Sequence, residues 1–157
     1  MGPLISAKQL ERVTNYVATG VADGGSVVTG GRRLGDAGYF IEPTVFTDVP
    51  RESAAAREEI FGPVVVAGRF ADVDEALALA NDSHYGLSSS VWSVDVRKAH
   101  AVARNLRAGR VGINIHSPGD YHFPSGGFKH SGLGREHGPN GLDPYLEDKS
   151  VFTKIAF

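Results

Sequence analysis

Between residues 64 and 115 the chain alternates strand, helix, strand, helix, strand, and this order restricts the fold more than any other feature. Val64-Val65-Val66 opens an apolar run to Phe70, entered through Pro63. Asp72 and Glu75 have the spacing of a capping box, heading a helix whose inner face is Val73, Ala76, Leu77 and Ala80. Residues 88–92 read as a second strand. Residues 95–107 read as a second helix with Ala99, Val102, Ala103 and Leu106 inward, and Gly109 stands where a left-handed terminator belongs. Arg110 to Ile115 is the third strand. The economical solution is a set of parallel strands joined by right-handed crossovers. The expected class is therefore α/β, a parallel sheet with flanking helices. Ligands gather at the carboxyl ends of such strands. The segment from His116 to about Pro144 follows such an end, and a loop of that length is functional or disordered.

The flanking segments are simpler. Residues 6–22 carry Leu10, Val13, Val17 and Val21 at helical spacing, with Ser6 and Gln9 as a capping box. Gly20 weakens the end of this helix, and Gly24-Gly25 stop it. Residues 26–29 and 39–48 read as short strands around a glycine-rich turn, with Pro43 pointing to an edge position. From Lys149 to Phe157, Val151, Thr153, Ile155 and Phe157 alternate with Phe152, Lys154 and Ala156. That period of two predicts a terminal strand in need of an edge to pair with.

Composition removes several function classes. A chain of 157 residues suggests one domain, with two small ones as the alternative. A monomer of this mass keeps roughly 7,600 Å² of accessible surface and buries about 68–70% of what its unfolded chain exposes. The net charge of −2, from 16 basic and 18 acidic residues without a dominant block, gives no case for nucleic-acid binding. With no cysteine, the chain supplies no disulfide, no thiolate metal ligand and no cysteine nucleophile. No signal-peptide pattern and no apolar run near eighteen residues is visible, so a soluble cytoplasmic protein without a membrane segment is expected.

Generic catalytic motifs fail. Gly132-Leu-Gly134-Arg-Glu-His-Gly138 has one residue too many for a dinucleotide fingerprint and follows no strand. Gly126-Gly127-Phe128-Lys129-His130-Ser131 lacks the phosphate-loop spacing. His116, His122, His130 and His137 match no compact metal-ligand pattern, so no metal is expected. Arg135 beside Glu136 reads as a solvated pair, or, if buried, as a guanidinium in need of a carboxylate. Glu58-Glu59-Ile60-Phe61-Gly62-Pro63 has two readings. It is a helix end leading into the strand at Val64, or a carboxylate and an aromatic ring held at a sheet edge. A carboxylate there accepts hydrogen bonds from a sugar diol, and a ring packs on a flat heterocycle.

Taken together these stretches resemble one family. Glu58-Glu59-Ile60-Phe61-Gly62-Pro63-Val64 is similar to the E-E-I-F-G-P-V signature of NAD(P)-dependent aldehyde dehydrogenases. Gly2-Pro3-Leu4-Ile5, Gly38-Tyr39-Phe40-Ile41-Glu42-Pro43-Thr44 and Asn81-Asp82-Ser83-His84-Tyr85-Gly86-Leu87 resemble further family elements in order. So do Gly109-Arg110-Val111-Gly112-Ile113-Asn114 and the run from Gly126 to Glu136. The resemblance is to the last third of a polypeptide about three times longer. It implies that residues 1–147 are the C-terminal part of a catalytic domain and 148–157 an oligomerisation strand. The catalytic cysteine would lie just upstream of Met1, with the general base and the dinucleotide-binding segment further upstream.

The family mechanism is thiolate attack on the aldehyde, hydride transfer to a nicotinamide, and hydrolysis of the thioester. The resemblance implies that Glu59 binds the nicotinamide ribose and Phe61 packs near the nicotinamide. It implies that Asn114 supports a substrate loop, that residues 115–125 line the aldehyde entrance, and that Glu136 belongs to the relay behind the hydrolytic water. Arg135 and Glu147 would be ions at a subunit contact, and the tail would join a neighbouring subunit's sheet in a homo-oligomer. Ser125 departs from the family, which places a bulkier residue there, so a smaller and more polar wall is implied. NAD or NADP serves the parent reaction. The chain alone is expected to bind neither and to be inactive, as one piece of an enzyme or as a non-catalytic, self-associating module.

Overall fold

The structure, a computed structural model, describes residues 1–116 and 119–156. They form two compact units, Met1–Phe70 and Ala71–Phe157.

In the first unit, helix α1 spans Ala7–Ala22 and starts on Ser6, whose Oγ accepts from the Gln9 amide at 3.2 Å. The return half of the expected capping box is absent, because the Gln9 side chain is bonded elsewhere. Leu10, Val13 and Val17 are buried as the periodicity predicts, but Val21 is half exposed and Gly20 takes the inner face instead. A Cβ on Gly20 would stand 3.3 Å from the Phe46 ring, so this glycine is a packing surface for the helix. Strand β1 (Ser26–Thr29) pairs antiparallel with β2 (Thr44–Thr47). The short helix α2 (Ala54–Arg57), capped by Ser53, leads to β3 (Val64–Val66), which lies parallel to β2. The sheet order β1-β2-β3 makes β2 the centre. Pro43 is thus not on an edge strand. It stands just outside the ladder, whose first donor is the Thr44 amide on the Pro63 carbonyl at 2.8 Å. Val13 and Phe46 are fully buried, and Leu10, Ile41 and Ile60 complete the core.

The second unit opens with α3 (Val73–Asn81). Asp72 accepts from the Glu75 amide, and Glu75 Oε2 reaches back to the Ala71 amide at 2.7 Å. Strand β4 (Ser88–Val91) lies parallel to β5 (Arg110–Ile113), with α4 (Val96–Asn105) as their connection. Ala99 is buried and Val102, Ala103 and Leu106 half-buried, as read from the spacing, whereas Ala80 of α3 is exposed.

Two expectations are revised. The strands at 64, 88 and 110 are not successive neighbours: among the described residues β3 pairs with β2, and β4 with β5. The helix α2, a single turn too short for periodicity to detect, connects β2 to β3 as a further parallel unit. Gly109 does not have a positive φ. It is required because a Cβ there would lie 1.7 Å from the Gly126 carbonyl oxygen. Within this single chain residues 147–156 are exposed and unpaired, which leaves the expected strand on a neighbouring subunit untouched, and Phe157 lies outside the described residues. A strand is made by hydrogen bonds to another strand, and no described residue pairs with this tail.

The accessible surface is 11752 Å², far above the roughly 7,600 Å² of a self-contained monomer of this mass. Among the described residues, Val65, Phe70, Trp92, Leu133 and Phe152 are each more than half exposed.

Candidate functional site

Residues 58–63 leave α2 and enter β3. Ile60 is buried and anchors the segment in the core, while Glu59 and Phe61 are exposed, Phe61 at 69%. Phe61 has φ +58. The left-handed region is unusual for an aromatic residue and costs of order 1–3 kcal/mol, a strain that clusters at ligand-binding positions. Gly62 follows because a Cβ there would come within 2.5 Å of Val13. The result brings Glu59 and Phe61 to one open cleft of about 440 Å³, shared with Glu58 and Val64. The Tyr16 hydroxyl donates to Glu58 Oε2 at 2.5 Å, which orients Glu58 and leaves the Glu59 carboxylate at the surface. An exposed carboxylate accepts two hydroxyls of a diol, and an exposed ring offers an apolar face to a heterocycle.

In the second unit Asn114 ends β5 with φ +54. Its Oδ1 accepts from the Ser93 amide at 2.8 Å and its Nδ2 donates to the Ser93 carbonyl at 2.9 Å. The side chain thereby imitates one more rung of the β4–β5 ladder and turns the chain into the long loop. Asn114→Ala is expected to cost about 2–4 kcal/mol, the sum of two lost hydrogen bonds and the left-handed penalty. Asn114→Gly, which removes only the bonds, should cost less. Urea unfolding of both variants measures the difference.

The loop is more ordered than its length implies. Ser125 and Glu136 form a reciprocal backbone bridge at 2.7 and 2.8 Å, which brings two of the expected site residues together. The Glu136 side chain is exposed. Ser125 also lines a cavity of about 760 Å³ with Ser88, Arg110, Tyr121 and Phe123. Of the expected entrance, 115–116 and 119–125 are described and 117–118 lie outside the described residues. Arg135 needs no carboxylate. Its Nη1 donates to the carbonyls of Gly127 (3.0 Å) and Gly134 (2.6 Å), and its guanidinium lies 5.2 Å from the Phe128 ring centre. Glu147 is exposed.

The loop histidines are dispersed among other partners. His130 stacks on His84, and His137 meets Tyr121 edge-on. His122 Nδ1 lies 2.7 Å from Asp120 Oδ1. Hydrogen bonds from the His122 backbone amide and then its ring hold the Asp120 carboxyl below its usual value. Among the described residues no group of three potential ligands converges on a metal position.

A network of hydrogen bonds around Gly86 and Asn81 ties this unit together. The Gly86 carbonyl accepts from the amides of Gly109 and Phe128, both at 2.9 Å, and the Gly86 amide donates to Ser131 Oγ. Lys129 Nζ donates to the carbonyls of Asn81 and Ser83, and the Asn81 side chain clamps Asn105 and Arg107. Three separate stretches of polar residues and glycines are therefore one bonded structure. In the sequence these stretches stood out as family elements, but nothing there showed that they bond to one another.

Comparison with known proteins agrees with this arrangement. The aldehyde dehydrogenase family model matches residues 1–151. A putative aldehyde dehydrogenase, DhaS, from Bacillus subtilis is 46% identical over 155 residues, covering 99% of this chain and 31% of that protein. Geranial dehydrogenase of Castellaniella defragrans is 47% identical over 97% of this chain and 32% of its own length. The NAD+ complex of aldehyde dehydrogenase from Bacillus cereus superposes with a TM-score of 0.92 at 47% identity, over 99% of this chain and 32% of that one. The chain thus spans about a third of the length of the relatives it matches. With family motifs, matched residues and backbone in agreement, the chain belongs to the aldehyde dehydrogenase family.

Proposed function

We propose that this chain forms the C-terminal third of an enzyme that oxidises an aldehyde to a carboxylic acid with NAD or NADP. The observation that carries the reading is its superposition on about a third of an NAD+-bound aldehyde dehydrogenase at 47% identity. The surplus of accessible surface supports it, since surface that would face a larger body is bare here.

In this reading Glu59 takes the hydroxyls of the nicotinamide ribose and Phe61 holds the nicotinamide from one side. NAD or NADP, when bound, supplies the hydride acceptor. Asn114 fixes the start of the loop, Ser125 gives the aldehyde entrance a small polar wall, and Glu136 steadies the water that ends the reaction. Arg135 and Glu147 stand at the contact with a second subunit, whose sheet the tail from 148 joins. The chain has no cysteine, so the thiolate that adds to the aldehyde comes from outside it and the isolated chain is inactive.

Two measurements test this. The purified chain with aldehyde and NAD is expected to form no NADH. Refolding it with the complementary two-thirds of the Bacillus cereus enzyme is expected to restore turnover. In that assembly Glu59→Gln should weaken cofactor use about tenfold, the effect of losing one charged hydrogen-bond acceptor. Turnover by the chain alone, or none from a correctly folded assembly, refutes the proposal.

The same bare apolar surface favours a second reading of the isolated polypeptide, a self-associating module without chemistry. Light scattering decides it: a dimer or larger species is expected, and a clean monomer removes it.

A further inference from the structure

Two side chains of α1 hold three consecutive carbonyls of the segment assigned to the cofactor. Gln9 Nε2 donates to the Ile60 carbonyl at 3.1 Å and to the Phe61 carbonyl at 2.8 Å. Arg12 Nη2 donates to the Glu59 carbonyl at 2.9 Å and to the Tyr16 hydroxyl at 3.0 Å. The Arg12 guanidinium also lies 4.9 Å from the centre of the Tyr16 ring, so its direction is set twice.

The geometry at Gln9 is restrictive. In an extended chain successive carbonyls point to opposite sides, and one nitrogen cannot reach both. The backbone angles of Phe61 alone decide how the carbonyls of 60 and 61 are turned relative to each other. With Phe61 at φ +58 they converge, and one amide nitrogen serves both with its two N–H bonds. An extended Phe61 would turn the two carbonyls apart and lose at least one of these bonds.

We propose that Gln9 and Arg12 are positioning residues: their donation to the Glu59, Ile60 and Phe61 carbonyls holds Phe61 in its left-handed conformation and so sets the Glu59–Phe61 cleft before any ligand arrives. The half-made capping box agrees with this: the Gln9 side chain is turned to the cleft through Nε2, and its oxygen does not take the Ser6 amide. The functional meaning rests on the reading of Glu59 and Phe61 given above, whereas the conformational claim does not.

The test uses the 157-residue chain without cofactor and reads the Phe61 backbone by NMR. A positive φ brings the amide and α protons of one residue close and gives a strong cross-peak between them. Wild type should show it. Gln9→Glu, nearly isosteric but unable to donate as a carboxylate, should lose it, and so should the pair Gln9→Met with Arg12→Ala. Arg12→Lys keeps a donor and should retain it. Amide exchange in α1 should stay slow in each case, which separates a positioning effect from loss of the helix. If Gln9→Glu weakens the helix, Gln9→Met, which keeps length and helix propensity, replaces it. A strong Phe61 cross-peak persisting in the double variant with α1 intact overturns the proposal. A positive result beside unchanged cofactor use in Glu59→Gln would uphold the clamp and refute the ribose assignment.

Discussion

Gly109→Ala is expected to unfold the second unit. The substitution looks mild, since the residue is not in the left-handed region and precedes a strand. The difficulty is spatial: the new methyl would lie 1.7 Å from the Gly126 carbonyl oxygen and 3.3 Å from the Gly127 Cα. Both neighbours are backbone, so no side chain can swing aside. The Gly109 amide is also bonded to the Gly86 carbonyl, which accepts the Phe128 amide as well. Relief therefore requires the β5 entry or the 126–128 segment to move, and either motion breaks the shared acceptor. Overpacking where side chains can adjust costs about 1–3 kcal/mol; a backbone collision on a shared hydrogen bond should exceed about 3 kcal/mol. Hydrogen exchange should show protection lost together in β4, β5 and the Ser125–Glu136 bridge. Gly119→Ala, with open space around it, is the control and should leave the pattern intact. If Gly109→Ala unfolded at the wild-type urea concentration, the account of the loop packing would fail.

Phe46→Ala is expected to unfold the first unit. Phe46 is fully buried at the centre of the three-stranded sheet, where its ring meets the bare face of Gly20 and the ring edge lies close to Gly25. Truncating a buried phenylalanine costs about 3–5 kcal/mol. A body the size of Met1–Phe70 with one small core rarely has more than ~3–5 kcal/mol in total. The substitution thus removes about as much as the unit has. The measurement is far-UV circular dichroism against temperature, with loss of the cooperative transition of this unit expected. Gly20→Ala probes the same contact from the other side. Its methyl would sit 3.3 Å from the ring, so the effect should be modest and should be partly relieved in Phe46→Leu.

The parts that were legible beforehand are local. Ser6, Asp72 and Asp95 each accept from the amide three residues on, so the starts of α1, α3 and α4 lie within a few residues of chain. The family motifs belong with them, because a run such as Glu58–Pro63 is recognisable wherever it folds. The site was legible as residue types but not as geometry. Nothing in the string Glu-Glu-Ile-Phe requires Phe61 to adopt φ +58, and the groups packed around it, Gln9 on its carbonyl and Val13 against Gly62, lie some fifty residues earlier.

By itself the amino-acid order determined the family, the α/β class, the three longer helices and the absence of a sulfur nucleophile. Each is a matter of residue identity or of spacing within one turn or one strand. Only the tertiary structure decided that β3 lies beside β2, that Gly109 serves close approach, and that Arg135 is satisfied by carbonyls of its own loop. Only it showed that the alternating tail finds no strand partner among the described residues of its own chain. The physical reason is common to all four. Strand pairing, steric contact and the choice of acceptor are set by atoms distant in sequence, and local periodicity carries no information about which distant atoms arrive.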